Sequence, residues 1–261
     1  MPLRVMTYNI LKGGTGRANE IRERIQRTNA DVVILQEVTD LTVLTSLAES
    51  LRMQWFLGKG NRKTKVALLS RLPVLSFNSL HPFPIWHNVI ETEVRYQAKQ
   101  SLFLIGVHLI PHLWFGFELW RYLEVKYILA RCKKFPGQPL LIAGDFNAIA
   151  PGDAVMVKTA PASIKAMLFL QGNHVFRFAI QTLLTAGFLD CFRFLHRNEK
   201  GFTYPTSRPS TRFDYVFVNQ IMQKNLAECW VARRPNPVIE ASDHDPVVAE
   251  FDMEIKAQVN E

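Results

Sequence analysis

Along the chain, apolar and polar positions fall into short blocks of two kinds. β-Branched or alternating runs predict strands at Arg4–Ile10, Asp31–Leu35 (DVVIL), Lys65–Ser70, Pro73–Asn78, Val89–Tyr96 and Ser101–Val107. Four more follow at Leu140–Ala143, Asp214–Val218, Glu228–Ala232 and Val247–Phe251. Lys65–Ser70 and Pro73–Asn78, only two residues apart, read as a pair of strands. Helical spacing takes over elsewhere. A glycine-rich turn (Gly13, Gly14, Gly16) leads into a charged helix with Ile21 and Ile25 on one face. Leu41–Leu51 sets Leu44, Leu47, Ala48 and Leu51 on one side. Two longer insertions, Phe115–Lys133 and Ala162–Ala186, also carry helical patterning, and in the first Leu119, Trp120, Leu123 and Tyr127 recur at core spacing. No period repeats and no Gly/Ser/Pro linker divides the chain. The expectation is one α/β domain over residues 1–255, with sheets inside and helices packed outside, followed by a polar tail at 256–261.

Composition supports a large core: 48% of residues are hydrophobic and 21% charged. No apolar run approaches the length that crosses a bilayer, and the start MPLRVMTYNIL lacks a secretory leader, so the expectation is a cytoplasmic protein with no transmembrane segment. The three cysteines (Cys132, Cys191, Cys229) are far apart and match no zinc or disulfide spacing; they read as buried thiols. The net charge of +8 draws the protein toward polyanions such as nucleic acid or an anionic membrane. Nothing in the pattern implies an obligate protein partner.

Polar residues then stand out by where they fall. Asn9 (TYNIL), Glu37 (LQEV), His108 (GVHL), Asp145 with Asn147 (GDFN), Asp214 (RFDYVFV) and Asp243 with His244 (SDHDP) all sit at strand ends or adjoining turns. Carboxylates at the edges of apolar strands are costly unless a cation or hydrogen bonds compensate. Oxygen donors from Glu37, Asp243 and Asn9 suit Mg²⁺ or Mn²⁺, and the absence of thiolate or multi-histidine spacing argues against zinc. His244 and Asp145 are the groups suited to moving protons, and which of them is the base stays open; Asn147 is suited to donating to developing charge. Each residue also has a duller reading: Asn9 as a turn cap, Glu37 as an exposed charge, GDFN as a tight turn, His108 as a core histidine, Asp214 as the partner of Arg212.

Taken in order, TYNIL, LQEV, VHL, GDFNA, RFDYVFV and SDHDPV resemble the endonuclease/exonuclease/phosphatase superfamily, and the motifs run from Asn9 to Pro246. The resemblance implies a four-layered sandwich of two mostly antiparallel β-sheets flanked by helices, with the site at one end. It implies Asn9 and Glu37 on the metal side, Asp243 as a second metal-proximal carboxylate, Asp145 orienting or deprotonating water and Asn147 on the phosphate. It also implies His244 as catalytic histidine held by Asp214, and His108 as a second histidine. One departure is plain: no carboxylate lies between Glu49 and Glu91, where pancreatic-type deoxyribonuclease pairs a glutamate with its second histidine. That makes His108 a phosphate contact more readily than an acid.

Substrate is left to local features. Arg62, Lys63 and Lys65 (NRKTK) and Arg208 with Arg212 (TSRPSTRFD) offer grips on a phosphate backbone. Trp114 and Phe115 offer stacking on an unpaired base or insertion into a lipid interface. A nuclease acting on DNA is the leading expectation, a phosphodiesterase on a lipid or small molecule the second, and an inactive binding module the third. A basic groove leading to Glu37 and His244 would favour nucleic acid; an apolar rim would favour lipid.

Overall fold

The structure, a computed structural model, describes residues 2–98, 100–158, 160, 162–233 and 240–253. The first half runs β1 (Leu3–Asn9), α1 (Ala18–Thr28), β2 (Val32–Val38), α2 (Leu41–Leu51), β3 (Gln54–Leu57), β4 (Lys65–Ser70), β5 (Val74–Leu80), β6 (Val89–Gln97) and β7 (Gln100–His108). It continues with α3 (Phe115–Cys132), β8 (Leu140–Asp145), α4 (Ala162–Leu170), α5 (Phe178–Thr185), β9 (Leu189–Asp190) and α6 (Cys191–Leu195). β10 (Asp214–Val218), α7 (Gln220–Gln223), β11 (Leu226–Val231) and β12 (Val247–Phe251) complete it. The tail expected at 256–261 lies outside the described residues.

The strands form two six-stranded sheets, ordered β11-β12-β1-β2-β4-β3 and β5-β6-β7-β8-β10-β9. Each sheet has one parallel pair, β1 with β2 and β7 with β8; the other pairs are antiparallel. Alternation explains how they stack. Val5, Ile34, Val66 and Leu68 of the first sheet meet Ile90, Leu104, Leu141 and Val216 of the second in one buried layer. The opposite side chains of the first sheet (Met6, Tyr8, Val33, Leu35) pack under Ile21, Ile25, Leu44 and Leu47 of α1 and α2. Those of the second (Ile105, Val107, Ile142, Phe217) pack under Val125, Ile128 and Ile180 of α3 and α5. The result is the expected four-layered sandwich. A cavity at Ile34 would cost about 2–5 kcal/mol on truncation to alanine, a large share of a domain's stability.

Two expectations are corrected, and one strand, β3, lay outside them. β4 and β5 do not pair: β4 lies between β2 and β3 in one sheet, while β5 pairs with β6 in the other, so the chain changes sheet at Arg71–Pro73. β3 gave no alternating signal because it is a short edge strand with Gln54 and Trp55 exposed. The apolar stripe of α3 faces the core only in part: Tyr127 packs against it and Trp120 is half-buried, but Leu119 and Leu123 are exposed, and the buried face carries Glu118, Arg121 and Glu124 beside Val125, Ile128 and Cys132. Backbone groups in the adjoining loops require those polar partners. Glu124 accepts from the N–H groups of Trp86 (2.9 Å) and Ile110 (3.0 Å), and Glu118 from that of Ala179 (2.9 Å). Arg121 donates to the carbonyls of Ile110 (2.9 Å) and His112 (2.6 Å). This ion-paired face fixes the loop that leaves β7 beside the site.

Candidate active site

Sheet register assembles the site. In the second sheet His108 pairs with Asp145 across β7 and β8, and Asp145 pairs with Asp214 across β8 and β10, so the three stand in a row at one end of the strands. Gly144 permits this approach, since a Cβ there would lie 2.0 Å from the Val107 carbonyl oxygen. From the first sheet come Asn9, the last residue of β1, and Glu37 of β2. The β2–β4 register breaks between Leu35 and Val38, and Glu37 sits in that bulge with φ 60°, a left-handed conformation uncommon for a residue with a side chain. Asp243 and His244 arrive on the turn before β12. Ser242 fastens that turn, its hydroxyl donating to the Asn9 carbonyl (2.6 Å) and accepting from the His244 N–H (3.2 Å).

The polar groups connect across the two sheets. Asn9 Nδ2 donates to Asp145 Oδ2 (3.0 Å) and Glu37 Oε1 (3.2 Å), while its Oδ1 accepts from the Leu11 N–H (3.0 Å). Asn9 therefore bridges the two carboxylates with its nitrogen rather than offering its oxygen. Glu37 Oε2 accepts from the Lys12 N–H (2.7 Å). Asp145 Oδ1 accepts from the Asn147 N–H (2.9 Å), and Asn147 Nδ2 donates to the Leu109 carbonyl (3.1 Å). His244 Nδ1 lies 2.8 Å from Asp214 Oδ2, and its Nε2 lies 3.9 Å from Asp145 Oδ2. Asp214 thus partners His244, and the alternative pairing with Arg212 is set aside.

Burial and charge set the protonation states. Burial alone would lower His244, but Asp214, Asp145 and Asp243 outweigh it and hold the imidazole charged. Burial pushes Asp145 up, with His244 opposing and Asp214 adding to the rise. Burial also raises Asp243, with His244 opposing and Glu37 adding to it.

A cavity of about 480 Å³ opens over these groups, lined by Glu37, Asp145, Asn147, Asp243 and His244 on its polar side. Its other wall is apolar: Leu113 and Trp114 at the start of α3, Ile164 and Met167 from α4, and Phe213. His108 lines it too, with Nε2 3.7 Å from Asp145 Oδ2.

Cavity residues that the sequence did not flag include Tyr204, whose ring lies 4.8 Å from that of His244, and His87. His87 lines the cavity and stacks on His108 with ring centroids 4.1 Å apart and planes 4° apart, its Nδ1 3.0 Å from the His108 carbonyl. A carbonyl only accepts, so Nδ1 carries the proton and Nε2 is left as an acceptor. Burial lowers His87 to about 4 and lowers His108 well below the usual range, so both rings are neutral. The only sequence sign was a histidine just ahead of an apolar strand.

Two expected substrate grips are corrected. Arg212 is 1% exposed; it donates to Asp153 (2.8 Å) and to both oxygens of Asp190 (2.9 and 2.6 Å). It ties the loop after β8 to the start of α6 and cannot reach a substrate. Lys65 turns its ammonium back onto the carbonyls of Gly60 (2.7 Å) and Arg62 within its own loop. Arg62 lies 3.7 Å over the Trp86 ring beside His87, and Lys63 and Arg208 are exposed. Trp114 and Phe115 are both half-exposed, Phe115 packing on Phe176 at 4.8 Å.

The donor set fits a hard divalent cation. Three carboxylates (Glu37, Asp145, Asp243) line the cavity with Asp214 behind His244, and no Lys or Arg is among its described lining residues. Among the described residues one acidic/histidine trio, Asp145, Asp214 and His244, brings ligand atoms within 4.8 Å of one another. Its Asp214–His244 edge is already spent on a hydrogen bond, so Glu37 and Asp243 are the oxygens best suited to a metal.

A family model described as "Endonuclease/Exonuclease/phosphatase family" matches residues 6–244. No curated protein sequence matches. Among solved structures, the fold is similar to that of a 3′ phosphatase, NExo, from Neisseria bound to product DNA hairpin (TM-score 0.74, 20% identity, 96% of this chain and 99% of that one). It is also similar to an AP endonuclease from Archaeoglobus fulgidus (TM-score 0.75, 17% identity, 96% and 99%). A third is D. rerio TDP2 complexed with single strand DNA product (TM-score 0.69, 17% identity, 96% and 98%).

Proposed function

The chain belongs to the endonuclease/exonuclease/phosphatase family, whose members are metal-dependent hydrolases of phosphate esters, and we propose that this one cleaves phosphodiesters, DNA foremost, by in-line attack of water. The observation that carries the reading is the row His108–Asp145–Asp214 with His244 hydrogen-bonded to Asp214 and facing Asp145. Asp145, a carboxyl raised by burial, orients the water and takes its proton. His244, kept charged by the surrounding aspartates, stabilises negative charge on the phosphate. Asn147 lines the cavity beside them, and neutral His108 and His87 contact the phosphate side. Glu37 and Asp243 would hold Mg²⁺ or Mn²⁺, which when bound supplies positive charge to a phosphoryl oxygen and the leaving oxygen. A binding module would gain nothing from keeping this set intact.

DNA is supported by the net charge of +8, by Arg62 and Lys63 beside the cavity, and by the DNA products bound to two of the similar proteins. One observation favours a second reading, a lipid or small phosphodiester: the cavity wall is apolar and its described lining holds no Lys or Arg. The test is incubation with plasmid, single-stranded DNA, RNA, a phospholipid diester and a chromogenic diester, each with Mg²⁺, Mn²⁺ or chelator. Metal-dependent DNA cleavage lost in Asp145→Ala and His244→Ala supports the first reading. Turnover of only the lipid or chromogenic diester supports the second, and no turnover of any diester overturns both.

A further inference from the structure

α4 is apolar on both faces. Its inner side packs Met167 and Leu168 into the molecule and brings Ile164 to the cavity. Its outer side presents Ala162, Lys165, Ala166, Phe169 and Leu170, with Phe169 75% and Leu170 66% exposed. A helix apolar all round is ordinarily covered all round, so a partner is missing from the outer face. The start of α3 extends the same surface. Gln171, directly after α4, accepts from the Phe115 N–H (2.7 Å) and donates to the Leu113 carbonyl (3.2 Å), which holds half-exposed Trp114 and Phe115 beside the end of α4.

Charge says what the partner is. Between Asp153 and Asp190 the chain has no acidic residue, while Lys158, Lys165 and Arg177 fall within that span. Lys158 and Lys165 are exposed; Arg177 is spent on the Ala150 and Asp153 carbonyls. An uncovered helix of Phe and Leu with Lys165 on its exposed side, Lys158 shortly before it in the chain and a tryptophan at its margin matches the chemistry of an anionic lipid interface. Stacked nucleobases would be served by aromatic faces alone and have no use for Ala166 and Leu170.

We propose that α4, with Trp114 and Phe115 at the start of α3, is the surface on which this protein docks to an anionic bilayer, with the mouth of the cavity held against the headgroups. No described helix is long and apolar enough to cross a membrane, so the attachment is peripheral. The docking is independent of which phosphodiester the site cleaves.

The experiment is co-sedimentation of the full chain with vesicles of phosphatidylcholine alone and of phosphatidylcholine with phosphatidylglycerol in equal parts. The variants are Phe169→Glu/Leu170→Glu, which changes two exposed side chains outside the cavity, and Lys165→Ala. Expected is partition to the anionic vesicles, weakened about fivefold by Lys165→Ala. The double variant should weaken it on the order of a hundredfold, with the thermal melt and turnover of a small chromogenic diester unchanged. Vesicle binding without any hydrolysis would support the docking and remove only the catalytic reading. No partition to either vesicle overturns the docking, as does partition that the double variant leaves intact. If instead the double variant dissociates a dimer in sedimentation velocity, or abolishes binding of a single-stranded oligonucleotide while vesicles fail to bind, the face belongs to a second copy or to nucleic acid and the proposal falls.

Discussion

Asp214 Oδ2 lies 2.8 Å from Nδ1 of His244, although the two residues are thirty positions apart, one opening β10 of the second sheet and the other on the turn before β12 of the first. The bond fixes the ring so that Nε2 faces Asp145, and it balances the charge on the imidazolium. Replacing Asp214 by asparagine keeps the shape but allows the amide nitrogen to donate to Nδ1, which favours the neutral, wrongly protonated ring. Asp214→Asn is expected to lower turnover of a chromogenic phosphodiester by about 10²–10⁴-fold, with little change in the thermal melt. Unimpaired turnover in a correctly folded variant would remove His244 from the chemistry.

Glu37 and Asp243 make a separate prediction about metal. Both are partly exposed to a cavity whose described lining holds no Lys or Arg, and Asp243 is already raised by burial and by Glu37. Neutralising either one should relieve repulsion in the metal-free protein and weaken the hold on the ion. Titration calorimetry with Mn²⁺ should show Glu37→Gln binding on the order of 10–100-fold more weakly, with the melt of the metal-free protein unchanged or raised. Unaltered Mn²⁺ affinity in both Glu37→Gln and Asp243→Asn would place the ion elsewhere, with the Asp145–Asp214–His244 trio next in line.

His87 gives a pH dependence whose sign follows from its burial. In the unfolded chain it takes a proton near 6.5; in the fold it does so only near 4. As pH falls through 6.5 the unfolded state gains a proton that the native state refuses. Stability from this group is therefore complete above 6.5 and is lost progressively down to about 4. The full loss is on the order of 3 kcal/mol. His87→Phe keeps a ring stacked on His108 and removes that loss. Urea denaturation should show the wild type losing stability faster than His87→Phe between neutral and acidic pH. Parallel curves would mean that the ring is protonated in the fold.

The polar residues that meet at the candidate site were more legible in the sequence than some parts of the scaffold around them, and the reason is physical. Asn9, Glu37, His108, Asp145 and Asp214 lie at ends of apolar strands and His244 on the turn before one, so each announced itself as a polar residue where an apolar one belonged. His87 comes from a loop with no period, and only the stack on His108 gives it a role. The partition of β4 and β5 between sheets was hidden because a two-residue gap looks the same whether the chain turns back or crosses over. On α3, Leu119 and Leu123 suggested a core face, yet loop backbone groups took Glu118, Arg121 and Glu124 inside. Periodicity records which side chains prefer burial; it does not record which backbone groups need a partner.

Arg208 and Arg212, four positions apart, look alike in sequence and should behave oppositely. Arg212 is sealed between Asp153 and Asp190 with its guanidinium 4.4 Å over the Tyr215 ring, and Arg193 shares Asp153 at 2.8 Å. Truncating Arg212 leaves buried Asp190 without its cation and Asp153 with Arg193 alone, and Arg212→Ala should cost about 3–5 kcal/mol in urea unfolding. Much of any activity loss would then return at low temperature, where the fold recovers. Arg208 is exposed and has no ion pair among the described residues, so Arg208→Ala should leave unfolding unchanged. If DNA is the substrate and Arg208 meets a phosphate, the variant should bind DNA more weakly and flatten the salt dependence by about one unit of slope. A stable Arg212→Ala with the same flattened slope would reverse the assignment and return Arg212 to the substrate surface.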